Sequence, residues 1–263
     1  MPRSMALLAL TRMTVADALR QPVTWLMTGV SLGLLAMSYL FGMFNFETED
    51  RLRMLATAGV AVTVINGLFL AVVGVSQSVH DELASRTALT LFAKPLGRGT
   101  YLVGKALGIW LTVVASGLVV MVAHAGLLWL GGRSGFEDTF ASHEASDAVT
   151  VPWQPILIAH VLGFLHGGVM ACLAAVLALR LALVANILVC FAIFVVGHVL
   201  AGMKLMGAVV IPALAIYNVD DAIQLMGQSV PWTYVGSTAL YTLLFTSGCL
   251  LVGLSVFQRQ DIP

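Results

Sequence analysis

The chain has 263 residues, of which 59% are hydrophobic and only 10% are charged, and its formal net charge is zero. A soluble domain carries roughly 25% charged residues, so this chain cannot cover itself with a water-facing surface and is predicted to lie in a bilayer. The neutral charge balance and the absence of a long basic tract in the sequence argue against nucleic acid as a partner.

The first predicted element is a helix over 5–20, in which leucines and a valine are mixed with Arg12, Asp17 and Arg20. Pro22 then turns the chain into the first long apolar run. A helix of this mixed composition lies along a membrane surface rather than across the bilayer. We therefore predict an N-terminal interfacial helix.

Six apolar runs follow, and each is long enough to cross a bilayer, which takes about 20 residues at ~1.5 Å per residue. None of them contains Asp, Glu, Lys or Arg, and one such charge at mid-membrane costs about 2.5–3.5 kcal/mol. Only Arg180 separates the fourth run from the fifth, which predicts a tight hairpin there. The predicted spans are 23–46, 54–79, 106–132, 151–179, 181–203 and 231–258.

A shorter apolar piece, 205–219, precedes the last span. It contains Pro212 and leads into Asp220 and Asp221. We predict a re-entrant or interfacial segment whose two carboxylates lie among headgroups or in water. The alternative is a seventh crossing, which would place the C-terminus on the other side of the membrane.

The distribution of charge predicts the orientation. With six spans, nine of the 13 lysines and arginines fall on the side of the termini, and nine of the 13 acidic residues fall on the other side. Cations favour the cytoplasmic side, so both termini are predicted to be cytoplasmic. The expected fold is an all-α integral membrane protein with a single transmembrane domain over 1–263, six transmembrane helices, the interfacial helix and the short segment before the last span.

The longest predicted cytoplasmic connection is 80–99, "HDELASRTALTLFAKPLGRG". Asp81 and Glu82 suit the N-terminus of a helix and Lys94 suits its C-terminus, in agreement with the helix dipole. Pro95 and the glycines after it then break the helix. The sequence therefore predicts a short amphipathic helix that faces the cytoplasm between the second and third spans.

Gly99, Gly104 and Lys105 also fit the G-x-x-x-x-G-K frame of phosphate-binding loops. Ala106 stands where such a loop needs Ser or Thr to hold Mg²⁺, and the residues that follow form a membrane span. We interpret the stretch as the beginning of that span, with the Lys105 amine extending to the membrane interface.

Other chemistry-bearing residues do not form a recognisable site in the sequence. Ser76 lies at the end of a predicted span, and His160 and His166 lie about 120° apart around one helix, so they do not converge on one ion. The three cysteines, at 172, 190 and 249, are interpreted as small buried hydrophobic residues. We predict no catalytic residue, no metal site and no cofactor in this chain.

Three glycine pairs have the small-xxx-small spacing that lets membrane helices approach closely. They predict a packed bundle or a dimer, without indicating which helices meet. The pairs are Gly29/Gly33, Gly104/Gly108 and Gly163/Gly167.

The segment 81–108, "DELASRTALTLFAKPLGRGTYLVGKALG", resembles the signature of ABC-2 type transporter permeases. In that family an acidic residue, an Arg-Thr pair and a K-P-x-x-R turn precede a G-K pair where the next span begins. The wording "PLGRGTYLVGK" is also weakly similar to permeases of nitrous-oxide-reductase maturation transporters. The matching residues are Glu82, Arg86, Thr87, Lys94, Pro95, Arg98, Gly104 and Lys105.

The resemblance implies a permease without its own ATPase, in the inner (cytoplasmic) membrane of a bacterium. Two copies would pair among membrane lipids, and each would dock a cytoplasmic ABC ATPase subunit that holds ATP and Mg²⁺. An extracytoplasmic accessory protein is a further partner that the resemblance leaves open. The implied coupling helix is roughly 81–93, and the implied contacts with the ATPase are Asp81, Glu82, Arg86, Thr87, Lys94 and Arg98.

Two other functions stay open. An ion-gradient-driven secondary transporter would need paired broken helices and buried mid-membrane charges, and only one broken element, 205–219, is visible in the sequence. A non-transporting membrane scaffold that delivers ATP-driven motion to an outer partner would carry the same cytoplasmic elements as a transporter.

Overall fold

The computed structural model describes residues 3–41, 48–84, 97–134, 151–203, 211–225 and 228–258, and no strand occurs among them. The described residues are mostly helical, so the predicted all-α class is confirmed. The helices are α1 (Arg3–Arg20), α2 (Pro22–Phe41), α3 (Thr48–Ala84), α4 (Arg98–Ser134), α5 (Trp153–Leu177), α6 (Leu183–Met203), α7 (Asp220–Gln224) and α8 (Trp232–Gln258), with a 3-10 turn at Leu214–Tyr217.

Five of these helices, α2, α3, α4, α5 and α8, are long and apolar enough to cross a membrane. They coincide with the first four predicted spans and the last one. α6 lies where the sequence predicts the span 181–203, and its described side chains form an apolar helical stretch, Leu183–Val199, that is shorter than those of the other five helices. The apolar helices therefore support a membrane protein, with five helices of spanning length in the described part of the chain.

α3 continues past the predicted end of the second span and reaches Ala84. Asp81 and Glu82 consequently lie in the last turn of α3, and the prediction that they begin a new helix is wrong. The physical reason is that no proline or glycine lies between Val75 and Ala84, so nothing interrupts the helix there. The next part of the predicted cytoplasmic connection, 85–96, lies outside the described residues.

Helices α3, α4 and α5 form the centre of the bundle, and α4 runs antiparallel to the other two. A Cβ atom at Gly67 on α3 or Gly167 on α5 would lie 3.2 or 2.8 Å from Cγ1 of Val113 on α4, so these glycines let the three helices approach closely. α5 is the most enclosed of the spanning helices, with 72% of its apolar stretch buried, against 17% for α8. α8 is therefore peripheral and presents most of its surface outward.

The glycine pair Gly104/Gly108 is the docking surface for α1. A Cβ atom at Gly104 would lie 2.7 Å from Leu10, and one at Gly108 would lie 2.5 Å from Cβ of Thr14. α1 is further tied to the start of α2, because the Thr24 hydroxyl donates to the carbonyl of Ala18 at 2.7 Å. The predicted N-terminal helix is thus packed along the first part of α4.

The other two glycine pairs behave differently from each other. Gly163 faces α3, where its Cβ would lie 3.2 Å from Val64, so the Gly163/Gly167 pair is used within the chain. Gly29 and Gly33 on α2 are exposed, and a Cβ atom at either would meet nothing within 4 Å.

Polar side chains join helices in the apolar core. Asn66 on α3 donates to the Ser116 hydroxyl of α4 at 2.9 Å. The Thr28 hydroxyl of α2 donates to its own helix at the Thr24 carbonyl, 2.7 Å away, so in its 2.7 Å contact with Ser116 it accepts. This chain of hydrogen bonds runs from α3 through α4 to α2, in surroundings where unmade bonds are expensive.

A second polar contact holds α6. The Asn186 amide donates to the Ser76 hydroxyl of α3 at 2.8 Å and to the Ala174 carbonyl of α5 at 3.0 Å. Ser76 is 1% exposed and itself donates to the carbonyl of Val72. Its hydroxyl therefore serves helix packing.

The segment 211–225 folds back against the bundle. Tyr234 of α8 donates its hydroxyl to the Ile216 carbonyl at 2.6 Å, and the Tyr217 and Thr242 hydroxyls are 2.7 Å apart. Within 211–225 the only helical elements are the 3-10 turn and the five-residue α7, so this part holds no helix of crossing length. The first part of the predicted segment, 205–210, lies outside the described residues, and the described part docks on α8.

The bundle has two ends, and each takes its name from a residue that lies there. At the Asp220 end, Ile223 of α7 joins Leu52 and Leu55 of α3 in a small apolar cluster. At the opposite end, which we call the Lys105 end, α3 finishes and α4 begins. The 37 residues of α3 connect the two ends, a length of about 55 Å.

Candidate functional site

The site predicted from the sequence lies at the Lys105 end, where α3 and α4 flank the segment 85–96. Ser78 and Glu82 are one turn apart on α3, and Tyr101 and Lys105 are one turn apart on α4. Residues four apart share a helix face, so two facing turns bring four polar side chains together.

Three hydrogen bonds join these four side chains. The Lys105 Nζ donates to Glu82 Oε1 at 2.5 Å and to the Ser78 hydroxyl at 2.9 Å. The Tyr101 hydroxyl donates to the other carboxylate oxygen of Glu82 at 2.8 Å. The Glu82 carboxylate is thereby shared between two donors of α4, which fixes the end of α3 against the beginning of α4.

The ion pair at the centre of this cluster is buried. The Lys105 side chain is 2% exposed and that of Glu82 is 15% exposed, so the prediction that the Lys105 amine extends to the membrane interface is wrong. α3 extends beyond the predicted span to Ala84, and this extension brings the Glu82 carboxylate within reach of the Lys105 amine. A buried ammonium group is tolerated only with such a partner and further hydrogen bonds.

Arg98 makes a second connection at the same end. Its Nη1 donates to the main-chain carbonyl of Phe257 at 2.5 Å and to that of Gln258 at 3.2 Å. Its guanidinium group also lies 5.5 Å from the centre of the Phe257 ring. These carbonyls end α8, where a cation complements the helix dipole, so Arg98 joins the beginning of α4 to the end of α8.

The structure describes three of the six predicted contacts with an ATPase. Asp81 is exposed, and Glu82 and Arg98 contact other helices of this chain. The remaining three, Arg86, Thr87 and Lys94, lie outside the described residues.

The stretch from Gly99 to Lys105 is helical throughout. A phosphate-binding loop presents successive main-chain N–H groups to the ligand, whereas here these groups belong to a helix and the Lys105 amine binds Glu82 and Ser78. The arrangement therefore joins helices and is not folded as a nucleotide-binding loop.

A histidine pair that the sequence did not reveal lies in the half of the bundle nearer the Asp220 end. Nδ1 of His124 on α4 is 2.9 Å from Nε2 of His160 on α5, and Nε2 of His124 is 3.0 Å from the Leu55 carbonyl. Because a carbonyl only accepts, Nε2 of His124 carries the proton and His160 donates to Nδ1. Gly59 on α3 leaves room for the His124 ring, since a Cβ atom there would lie 2.2 Å from it.

His166 has different neighbours from His160, as the spacing along α5 predicts. Its ring is edge-on to those of Phe194, His198 and Tyr217, with centroids 5.5 to 5.9 Å apart. Among the described residues no group of three or more His, Cys, Asp or Glu side chains is placed to hold a metal ion.

The carboxylate of Asp220 leads to a test of the folded-back segment. Burial raises the pKa of Asp220 above its ordinary value, a hydrogen bond with Asn218 partly opposes the rise, and the charge of Asp221 adds to it. A folded-state pKa above the unfolded value, about 3.9, means that stability falls as the pH rises through the folded-state pKa.

We therefore expect Asp220→Asn to raise the thermal unfolding temperature at pH 7, because the neutral amide does not bear the cost of a partly buried charge. The gain should shrink as the pH falls through the folded-state pKa and should vanish well below about 4, where the wild-type carboxyl is protonated in both states. Asp221→Asn, at an exposed neighbour, is the matched control and should give little change. A gain for both variants alike would assign the effect to net charge and contradict the burial of Asp220.

No known protein family and no curated protein matches the chain.

Proposed function

We propose that the chain is the membrane-spanning permease subunit of an ATP-binding-cassette transporter, with six spans and both termini in the cytoplasm of a bacterium. The observation that carries the proposal is the clamp at the Lys105 end, made by Glu82, Tyr101 and Lys105. It joins the two helices that flank the segment resembling the ABC-2 coupling region. Force applied to that segment would reach α3 and α4 together.

In this proposal the residues of the resembling segment have two roles. Glu82 and Arg98 hold the base of the segment within the chain. Asp81, which is exposed, and the residues Arg86, Thr87 and Lys94 contact the ATPase subunit. ATP and Mg²⁺ are bound by that partner, so this chain is not itself an enzyme.

The proposed movement follows the contacts at the Lys105 end. Closure of two ATPase subunits on ATP pushes the coupling segment, and the clamp transmits the push to α3 and α4. Because Arg98 holds the last carbonyls of α8, α8 follows. The permease then switches between inward-facing and outward-facing states that differ in their affinity for the ATP-bound partner, as coupling requires.

A second copy of the chain completes the transporter. Within the described residues, the glycine pairs of α4 and α5 are filled by side chains of this chain, whereas Gly29 and Gly33 of α2 face outward. Their exposed face suits close helix contact with another copy among the lipids, and we propose α2 as part of the dimer interface.

The test is purification of the tagged chain in mild detergent from a cell that naturally encodes it. We expect an ATP-binding-cassette subunit in the complex, identified by mass spectrometry, and ATP hydrolysis by that complex. The double variant Asp81→Lys with Arg86→Glu should lower the yield of bound ATPase about tenfold or more, the factor that corresponds to 1.4 kcal/mol.

Asp221→Lys is the matched control, because Asp221 is also exposed but lies at the Asp220 end. It should leave the complex intact. Purification of folded chain without an ATPase, or equal loss in both charge variants, would contradict the proposed function.

A further inference from the structure

Two of the three cysteines lie against each other, a relation that the sequence does not show. All three are free thiols. Cys172 on α5 is 2% exposed and Cys190 on α6 is fully buried, whereas Cys249 on α8 is only partly buried. Their burial agrees with the interpretation from the sequence, but the position of Cys249 on a peripheral helix sets it apart.

The contact between Cys172 and Cys249 rests on how α5 packs against α8. The Cys172 thiol donates to the carbonyl of Thr246 at 3.5 Å, and Cys249 lies three residues later on the same face of α8. The Cys172 thiol therefore faces the Cys249 side chain across the contact between α5 and α8. One turn further, Gly253 admits Val176 so closely that a Cβ atom there would lie 2.6 Å from it, which holds the two helices together at this level.

Cys190 is engaged differently. Its thiol donates to the side-chain oxygen of Asn186 in its own helix at 3.6 Å. Asn186 is in turn fixed to Ser76 and to the carbonyl of Ala174. Cys190 is therefore held by a polar contact of α6 and serves as an internal control for the other two thiols.

We propose that Cys172 and Cys249 form a dithiol modification site that a lipid-soluble, two-electron oxidant of the quinone class converts to a disulfide. Cys249 is the thiol that meets the oxidant, because α8 presents most of its surface outward to lipid. The Cys172 thiol, held at the carbonyl of Thr246, lies beside Cys249 and is the second thiol to react.

The reaction is balanced within these three groups. The Cys249 sulfur attacks the quinone, and the Cys172 sulfur then displaces the quinol. Two S–H bonds are broken and one S–S bond is formed, while two electrons and two protons pass to the quinone. The bond ties α5 to α8, and its formation does not depend on the proposed transport function.

The test uses the full chain in lipid nanodiscs, reduced and then freed of reductant, with tetramethylbenzoquinone as the oxidant. This quinone has no unsubstituted ring carbon at which a thiol adduct would persist. We expect the number of free thiols to fall from three to one, with one quinol formed per chain. Digestion without reductant should yield a peptide pair joined through Cys172 and Cys249.

Single serine variants separate this site from general oxidation. Cys190→Ser should still lose two thiols, whereas Cys172→Ser and Cys249→Ser should each keep both remaining thiols. Each variant is compared at a temperature where its thermal transition shows it folded, and Cys249→Ala replaces Cys249→Ser if the serine unfolds the chain. A disulfide that contains Cys190, a bond between two chains, or no loss of thiols in the wild type would overturn the proposal.

Discussion

Glu82→Gln should lower the free energy of unfolding by about 3–5 kcal/mol, the usual cost of leaving one charge of a buried pair without its partner. The Lys105 side chain is 2% exposed, so its ammonium group cannot turn to water when Glu82 becomes neutral. The amide oxygen of the variant can still accept the hydrogen bond from Tyr101. The loss of stability therefore reports mainly the missing charge of Glu82. The measurement is reversible unfolding in mixed detergent micelles.

Two further variants distinguish a buried pair from a general loss of charge. Lys105→Met in the Glu82→Gln background should recover much of the lost stability, because the uncompensated ammonium group is then absent. Glu49→Gln removes the charge that pairs with Arg53 in an exposed ion pair, in which the Arg53 side chain is 39% exposed and that of Glu49 is 46% exposed. This substitution should cost less than about 1 kcal/mol. Equal effects of Glu82→Gln and Glu49→Gln would contradict the buried clamp.

Gly108→Ala should destabilise the protein by about 1–3 kcal/mol, the range found when a well-packed contact is overfilled. The added Cβ would lie 2.5 Å from Cβ of Thr14 and 3.1 Å from the main-chain oxygen of Thr11. A main-chain atom cannot turn aside as a flexible side chain can, so α1 has to move as a whole. We also expect faster tryptic cleavage after Arg12, because α1 is held less firmly.

Gly126→Ala on the same helix is the matched control. A Cβ atom there would meet nothing within 4 Å, so the substitution should be neutral or should stabilise α4 by up to about 1 kcal/mol through helix propensity. The two variants add the same methyl group to the same helix and differ only in what it meets. If Gly108→Ala were as stable as Gly126→Ala, α1 would not be docked on α4.

The helical class and the five helices of spanning length could be predicted from the sequence because the signal is local. Each run contains some 20 apolar residues without a charge, and such a run has few alternatives to a membrane helix. The end of α3 was harder to predict. Charges at Asp81 and Glu82 mark the edge of an apolar run, but a helix ends only where its hydrogen bonds are interrupted, and no residue before Ala84 does this.

The clamp depends on contacts that composition does not show. Glu82 and Lys105 are 23 residues apart, and they meet only because α3 and α4 run antiparallel with one particular register. Folding the two helices as a hairpin about the segment 85–96 pairs Glu82 with Tyr101 and Ser78 with Lys105. The same register places Gly59 opposite His124 at the other end of the two helices. The register could therefore also have predicted that the His124 ring packs against Gly59.

The glycine pairs illustrate the same limit. Their spacing predicts that something packs closely against each pair, and Gly104 and Gly108 do receive a neighbour. The neighbour is α1, a helix of mixed composition whose Leu10 and Thr14 are spaced by one turn and so match the two glycines. Spacing alone could not select α1 over another span, because every helix offers side chains at that interval.

Photo-crosslinking in native membranes, from a single probe residue at position 86, tests whether an ATPase binds at the Lys105 end. The probe is placed in the segment that α3 and α4 flank, and a second chain carries it at position 221, at the other end of the bundle. We expect a crosslink to an ATP-binding-cassette ATPase from position 86 and none from position 221. A crosslink to that ATPase from position 221 alone, or no crosslink from either position in folded chain, would contradict the proposed function.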